Sequence, residues 1–143
     1  MRSVITENPK YTQRLGSEFA KKLIRQRPKK ALIVALEGEL GAGKTTFIKG
    51  FSKALGIREK IHSPTFVLIH RHKIRGKNLY HVDAYRLKSG KDLLKLGVKE
   101  IFAEPKNIVL IEWADRVKRI IPKNAVWIRL EHLSKNERKV TIK

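Results

Sequence analysis

Gly38-Glu39-Leu40-Gly41-Ala42-Gly43-Lys44-Thr45 sets glycines, a lysine and a threonine at the spacing G-x-x-x-x-G-K-[ST]. Those residue types in that order handle phosphate. Glycines let the backbone approach an anion closely, so that successive N–H groups, those of Glu39, Leu40 and Ala42 among them, form a concavity for phosphate oxygens where a helix begins. Lys44 is then set to reach the β- and γ-phosphates as a compact point charge and the Thr45 hydroxyl to ligate magnesium, with Thr46 among the nucleotide-binding residues. The chemistry implied is binding of a nucleoside triphosphate with magnesium. The alternative is a glycine-rich connection that carries no ligand. The flanks favour the first: Ala31-Leu32-Ile33-Val34-Ala35-Leu36 is an apolar run of strand length before the loop, and Thr45 to Leu55 has helical spacing after it.

A triphosphate site also needs carboxylates for the metal and the attacking water. Glu112 directly follows the apolar run Ile108 to Ile111, the pattern of an acid at the tip of a buried strand, where it holds magnesium directly or through water. Asp83 ends Leu79-Tyr80-His81-Val82 and is the second candidate, as a metal-shell group or the base that orients water. For both, the plain alternative is a turn carboxylate paired with one of the many Lys and Arg. Ser63-Pro64-Thr65-Phe66 offers the Thr65 hydroxyl to the γ-phosphate side, or is only a turn. Arg86 is either a charge stabiliser or half of an exposed ion pair, and Trp113 is either core or near the nucleotide through its neighbour Glu112. No N-K-x-D element for guanine occurs, which favours ATP, and no arginine-rich lid is found between Asp83 and Glu112.

The elements that must position these groups alternate between strand and helix. Tyr11 to Arg27 reads as a helix with Leu15, Phe19, Leu23 and Ile24 on one face and Thr12 as a cap. Thr65 to His72 and Leu79 to Ala84 read as strands of a hairpin turning at Arg75-Gly76-Lys77-Asn78. Asp115 to Ile121 reads as a short helix ended by Pro122, and Ala125 to Leu130 and Lys139 to Ile142 as closing strands. The expected fold is α/β: a three-layer P-loop NTPase sandwich with a central, mostly parallel sheet and antiparallel additions, in one domain over residues 1–143. Ligand is expected at the carboxyl ends of the strands.

Composition narrows the class further. The absence of cysteine excludes disulfides, thiolate catalysis and cysteine-based zinc sites. No apolar run has the length of a signal peptide core or a bilayer span, so a cytoplasmic, soluble protein without membrane contact is expected. Lys and Arg number 33 against 13 Asp and Glu, a formal charge of +20, which favours polyanionic partners such as nucleic acid or else reflects a lysine-rich solvated surface.

GELGAGKTTF at Gly38 to Phe47, SPTF at Ser63 to Phe66, YHVDAYRL at Tyr80 to Leu87, LGVKEIF at Leu96 to Phe102 and LIEWADR at Leu110 to Arg116 together resemble the TsaE family in order and spacing. The resemblance covers nearly the whole chain. It implies a small ATPase that acts with TsaB and TsaD in threonylcarbamoylation of the adenosine beside the tRNA anticodon, with ATP as substrate and Mg2+ as cofactor. On the family pattern, Lys44 is the phosphate ligand, Thr45 and Glu112 are magnesium ligands, Asp83 is required for ATPase function, and Thr65 and Trp113 fall on motif positions. The segment at Thr12 is implied to lie close to adenine. Glu39 stands where the family usually has Asp, and the charge of +20 exceeds the family norm, which leaves a direct tRNA contact open. The competing class is a small P-loop kinase or phosphotransferase.

Overall fold

The computed structural model describes residues 2–39, 41–57 and 68–143. In chain order its elements are β1 (Arg2–Thr6), α1 (Pro9–Ile24), β2 (Leu32–Glu37), α2 (Lys44–Ala54), β3 (Ile69–Ile74) and β4 (Lys77–Asp83). There follow α3 (Gly90–Lys95), α4 (Val98–Ala103), β5 (Asn107–Glu112), a 3-10 helix over Ala114–Ile120, β6 (Val126–His132) and β7 (Arg138–Ile142). They group into two compact units, one of Met1–Gln26, Glu37–His62 and Ile128–Lys143, the other of Arg27–Leu36 and Ser63–Trp127.

The second unit is built on parallel strands. β5 pairs in parallel with β2 on one side and β4 on the other, and β3 pairs antiparallel with β4. Strands covered on both faces need continuous apolar runs rather than alternation. β5 meets this with all six residues buried, and Ile33 to Leu36 of β2 are buried as well. The register levels the carboxyl ends, with Leu36 and Asp83 both opposite Glu112. Val82, Ala84, Leu93, Val98 and Phe102 join Val109 and Ile111 in one apolar core, so α3 and α4 are packed elements. Both short helices escape the sequence reading, which finds only a motif at Leu96 to Phe102. The hairpin is tighter than expected: only Arg75 and Gly76 turn, Gly76 at φ 71°, while Lys77 and Asn78 already belong to β4.

In the first unit, β7 pairs antiparallel with both β1 and β6, and α1 lies against α2. The parallel trio in one unit and the antiparallel pairs in both match the expected mixture. β1 has no local signature, because only one of its five residues is buried and its partner strand is more than 130 residues away. Asn8, not Thr12, caps α1, its side chain accepting from the Tyr11 N–H with Pro9 in the first turn, so the helix starts earlier and ends sooner than the sequence predicts. Its buried face is also different: Thr12, Gly16, Ala20 and Leu23, with Ile24 exposed. Small residues face the partner because the helices come close; a Cβ on Gly16 would stand 2.2 Å from the Phe47 carbonyl oxygen, and one on Gly50 only 1.8 Å from that of Gln13. Phe19, Phe47 and Phe51 fill the space beside this contact, with centroids 6.2–6.4 Å apart.

This close approach reverses a usual rule. Alanine normally stabilises a helix relative to glycine by about 0.5–1 kcal/mol. Here Gly50→Ala should destabilise by about 1–3 kcal/mol, because backbone atoms must move to admit one methyl. A urea midpoint equal to or above that of the parent would overturn the contact.

Candidate functional site

The glycine loop runs from the end of β2 into α2, and its three glycines, Gly38, Gly41 and Gly43, all take positive φ. Gly38 has φ 149°, and a Cβ there would lie 2.5 Å from the backbone oxygen of Leu130. Gly43 is the N-cap of α2 in the left-handed region, φ 96° and ψ 11°, which a residue with a Cβ rarely adopts. The carbonyl of Gly43 accepts the first helical bond, from the Phe47 N–H at 2.9 Å. No side chain caps this helix and no acid stands in its first turn, in contrast to α1 with its Asn8 cap. The leading N–H groups of α2 and the positive end of its dipole therefore suit an anion. Lys44 is buried, and its ammonium donates to the carbonyl of Gly38. The lysine is thus folded back over the loop that precedes it. Ala42 is buried, Thr46 half-buried, and Glu39, Gly41 and Thr45 are exposed. Leu40 and Thr65, with the rest of Ser63 to Phe66, lie outside the described residues.

The carboxylate candidates come together in the other unit. Asp83 and Glu112 are register partners at the ends of β4 and β5, level with Leu36, which precedes Gly38 by two residues in the chain. Glu112 is only 7% exposed. Its main-chain carbonyl accepts from the Ala84 N–H at 3.0 Å, and its carboxylate oxygen Oε2 lies 2.7 Å from Nε2 of His81. A lone buried carboxylate is costly; a hydrogen bond to the charged group offsets about 1.5–3 kcal/mol of that. Asp83 is half-buried, and its Oδ1 accepts from the Tyr85 N–H at 3.0 Å, a local bond that turns the chain at the strand end. Arg86, just beyond, is exposed.

Trp113 is half-buried. It packs on the apolar core of its unit, and it also forms a surface group with Tyr85, centroids 4.9 Å apart, and with the Arg116 guanidinium, 5.8 Å from its ring and 5.0 Å from that of Tyr85. It is the single non-glycine residue with positive φ, 57°, among the described residues, directly after Glu112. Thr12 is 1% exposed and its hydroxyl lies 2.6 Å from that of Thr6, so this oxygen is engaged inside the fold.

Two residues were missed from sequence. His81 stands two before Asp83, hence on the same strand face, and that spacing was the available signal. Arg138 had none. Its Nη1 donates to the carbonyls of Ser134 and Glu137 at 2.7 and 2.8 Å, and its stem passes Gly43, whose missing Cβ would be 3.4 Å from Arg138 Cγ.

A hard divalent cation takes oxygen ligands, and magnesium commonly takes one or two carboxylates with the rest from phosphate and water. Asp83 and Glu112, register partners at the ends of β4 and β5, are oxygen donors of that kind. No group of three or more His, Cys, Asp and Glu among the described residues forms a metal cage. No helix among them is long and apolar enough to cross a membrane.

A parallel α/β core with carboxylates level at its strand ends, and a strand leading through a glycine loop into a helix, define the fold of the P-loop NTPases. The solved structure of Bacillus subtilis YdiB superimposes with a TM-score of 0.75 at 31% identity, covering 99% of this chain and 83% of that one. The chain belongs to the TsaE family, whose model, described as threonylcarbamoyl adenosine biosynthesis protein TsaE, matches residues 6–140. Relatives named tRNA threonylcarbamoyladenosine biosynthesis protein TsaE include that of Haemophilus influenzae, 35% identical over 119 residues, 83% of this chain and 75% of the relative. That of Bacillus subtilis is 35% identical over 136 residues, 95% of this chain and 81% of the relative.

Gly38 and Gly43 should respond differently to alanine. Gly38→Ala meets both a disfavoured φ and an immovable carbonyl, whereas Gly43→Ala meets the same kind of φ and only a flexible arginine stem. We expect the loss of stability to be larger at Gly38, about 2 kcal/mol or more against about 1–2 kcal/mol at Gly43. Equal urea midpoints for the two variants would count against the Leu130 contact.

Proposed function

We propose that this chain is a cytoplasmic, magnesium-dependent ATPase subunit that supports threonylcarbamoylation of the adenosine beside the tRNA anticodon, acting with TsaB and TsaD. The observation that carries the reading is the start of α2, where a left-handed Gly43, a helix end without a side-chain cap and a buried Lys44 over Gly38 together make a cradle for phosphate. Family membership supplies the pathway.

The roles follow from position and chemistry. The N–H groups at the start of α2 bind and orient the phosphates, and Lys44 balances charge that grows on the β- and γ-oxygens during transfer. Thr45 and Glu112 are the residues that would hold magnesium, which when bound neutralises phosphate charge and fixes the terminal phosphate. Asp83 orients the attacking water, its carboxylate already held by the Tyr85 N–H. Phosphoryl transfer depends on charge stabilisation and exclusion of water, so hydrolysis by the chain alone is slow and rises when partner proteins complete the site. The net charge of +20 suits a partner assembly that carries tRNA.

Lys44→Ala should abolish measurable ATP binding, read by calorimetry. Asp83→Ala and Glu112→Ala should retain binding within about an order of magnitude while turnover falls roughly 100-fold or more, because their contribution is made in the transition state. Normal hydrolysis in all three would remove the assignment. In reconstituted tRNA modification with TsaB and TsaD, Lys44→Ala should fail to sustain repeated rounds. Undiminished multiple turnover there would redirect attention to a small-molecule kinase, pursued by substrate screening.

A further inference from the structure

The hydrogen bond between His81 and Glu112 is not used by the roles given above. His81 is 1% exposed on β4, and its register partner on β5 is Leu110, so its ring reaches diagonally forward along the parallel pair to the acid at the strand end. The carboxylate can only accept, so this bond requires the proton on Nε2. Nδ1 has no hydrogen-bond partner among the described residues. One donor therefore points at one oxygen of Glu112, at 2.7 Å, inside a packed strand pair that holds the ring still.

We infer that His81 is the positioning residue for the metal-holding carboxylate, donating to Oε2 of Glu112 so that Oε1 is presented to the cation. The inference rests on the reading of Glu112 as the magnesium ligand. A glutamate has three rotatable bonds between backbone and carboxylate, and few of its rotamers set an oxygen where a cation with strict octahedral geometry accepts it. The Ala84 N–H fixes the main chain of Glu112, and His81 fixes the far end of its side chain. With both ends held, the carboxylate is arranged before the cation arrives, and the magnesium–nucleotide complex loses less freedom on binding. A histidine that merely fills the core has no such effect on metal affinity.

The test separates these roles by magnesium titration of a fluorescent, non-hydrolysable ATP analogue bound to the full chain, which needs no turnover. His81→Leu keeps an apolar side chain and removes the donor; His81→Gln places an amide N–H near the Nε2 position; His81→Asn carries the same amide but stops short of it. We expect the magnesium concentration at half-maximal response to rise about 10- to 100-fold in the Leu and Asn variants and to stay within about threefold of the parent in Gln, with analogue affinity in EDTA unchanged throughout. Parental midpoints for Leu and Asn, beside a Glu112→Ala variant that has lost its magnesium response, would reduce His81 to packing. A Gln variant as impaired as Asn would also overturn the inference, and this pair decides the matter if the Leu variant does not fold. A Glu112→Ala variant with the parental response would instead remove the reading of Glu112 itself, and the role of His81 with it.

Discussion

A polar side chain at the end of a strand that is buried at every position needs a hydrogen-bond partner where it stands. Glu112 is that side chain, and much of its unit is arranged around it. β5 runs between β2 and β4, so both neighbours end level with the acid, and the backbone of β4 just past its end supplies the Ala84 N–H. The effect on side-chain choice is visible two residues back on the neighbouring strand, where the buried interior admits a histidine. A continuous hydrophobic strand is stable without any of this. In the polar pair a hydrogen bond, rather than apolar packing, holds the end of the strand.

The glycine loop follows the opposite logic, in which groups are removed instead of added. Gly38 lacks the Cβ that would strike Leu130, and Gly43 adopts a backbone state that other residues resist. The same device recurs away from the loop, at Gly16 and Gly50, where missing side chains let α1 and α2 meet almost backbone to backbone. α2 is therefore clamped along its length while its first turn stays without a side-chain cap. For the phosphate-binding role proposed for α2 this is an advantage, since donors held rigidly before a ligand arrives need no reorganisation when charge develops.

Legibility in the sequence followed the range of the forces involved. The loop, the run before Glu112 and the alternation of strands with helices are local patterns, and the parallel strands they imply are present. The buried face of α1 departs from the pattern of its large apolar residues, because the tight helix contact selects Gly16 and Ala20. Asn8 was overlooked as a cap in favour of Thr12, whose hydroxyl is turned inward to Thr6. The pairing of β1 and the bond from His81 to Glu112 depend on partners far along the chain or across strands, and periodicity gives at most the strand face of His81, not its partner.

The pairing of β1 with β7 sets Arg2 opposite Ile142. Its unit is assembled from three separate stretches of chain, whereas the other unit draws most of its residues from one, Ser63–Trp127. During synthesis from the amino end, the parallel core has all of its strands once Glu112 has emerged. The first strand of the chain must then wait for the last, since loop closure over such a distance is entropically slow and the partner does not yet exist. A nascent chain halted after Trp127 therefore holds every strand of the parallel core, with Asp83 and Glu112 among them, while β1 still lacks its partner strand β7.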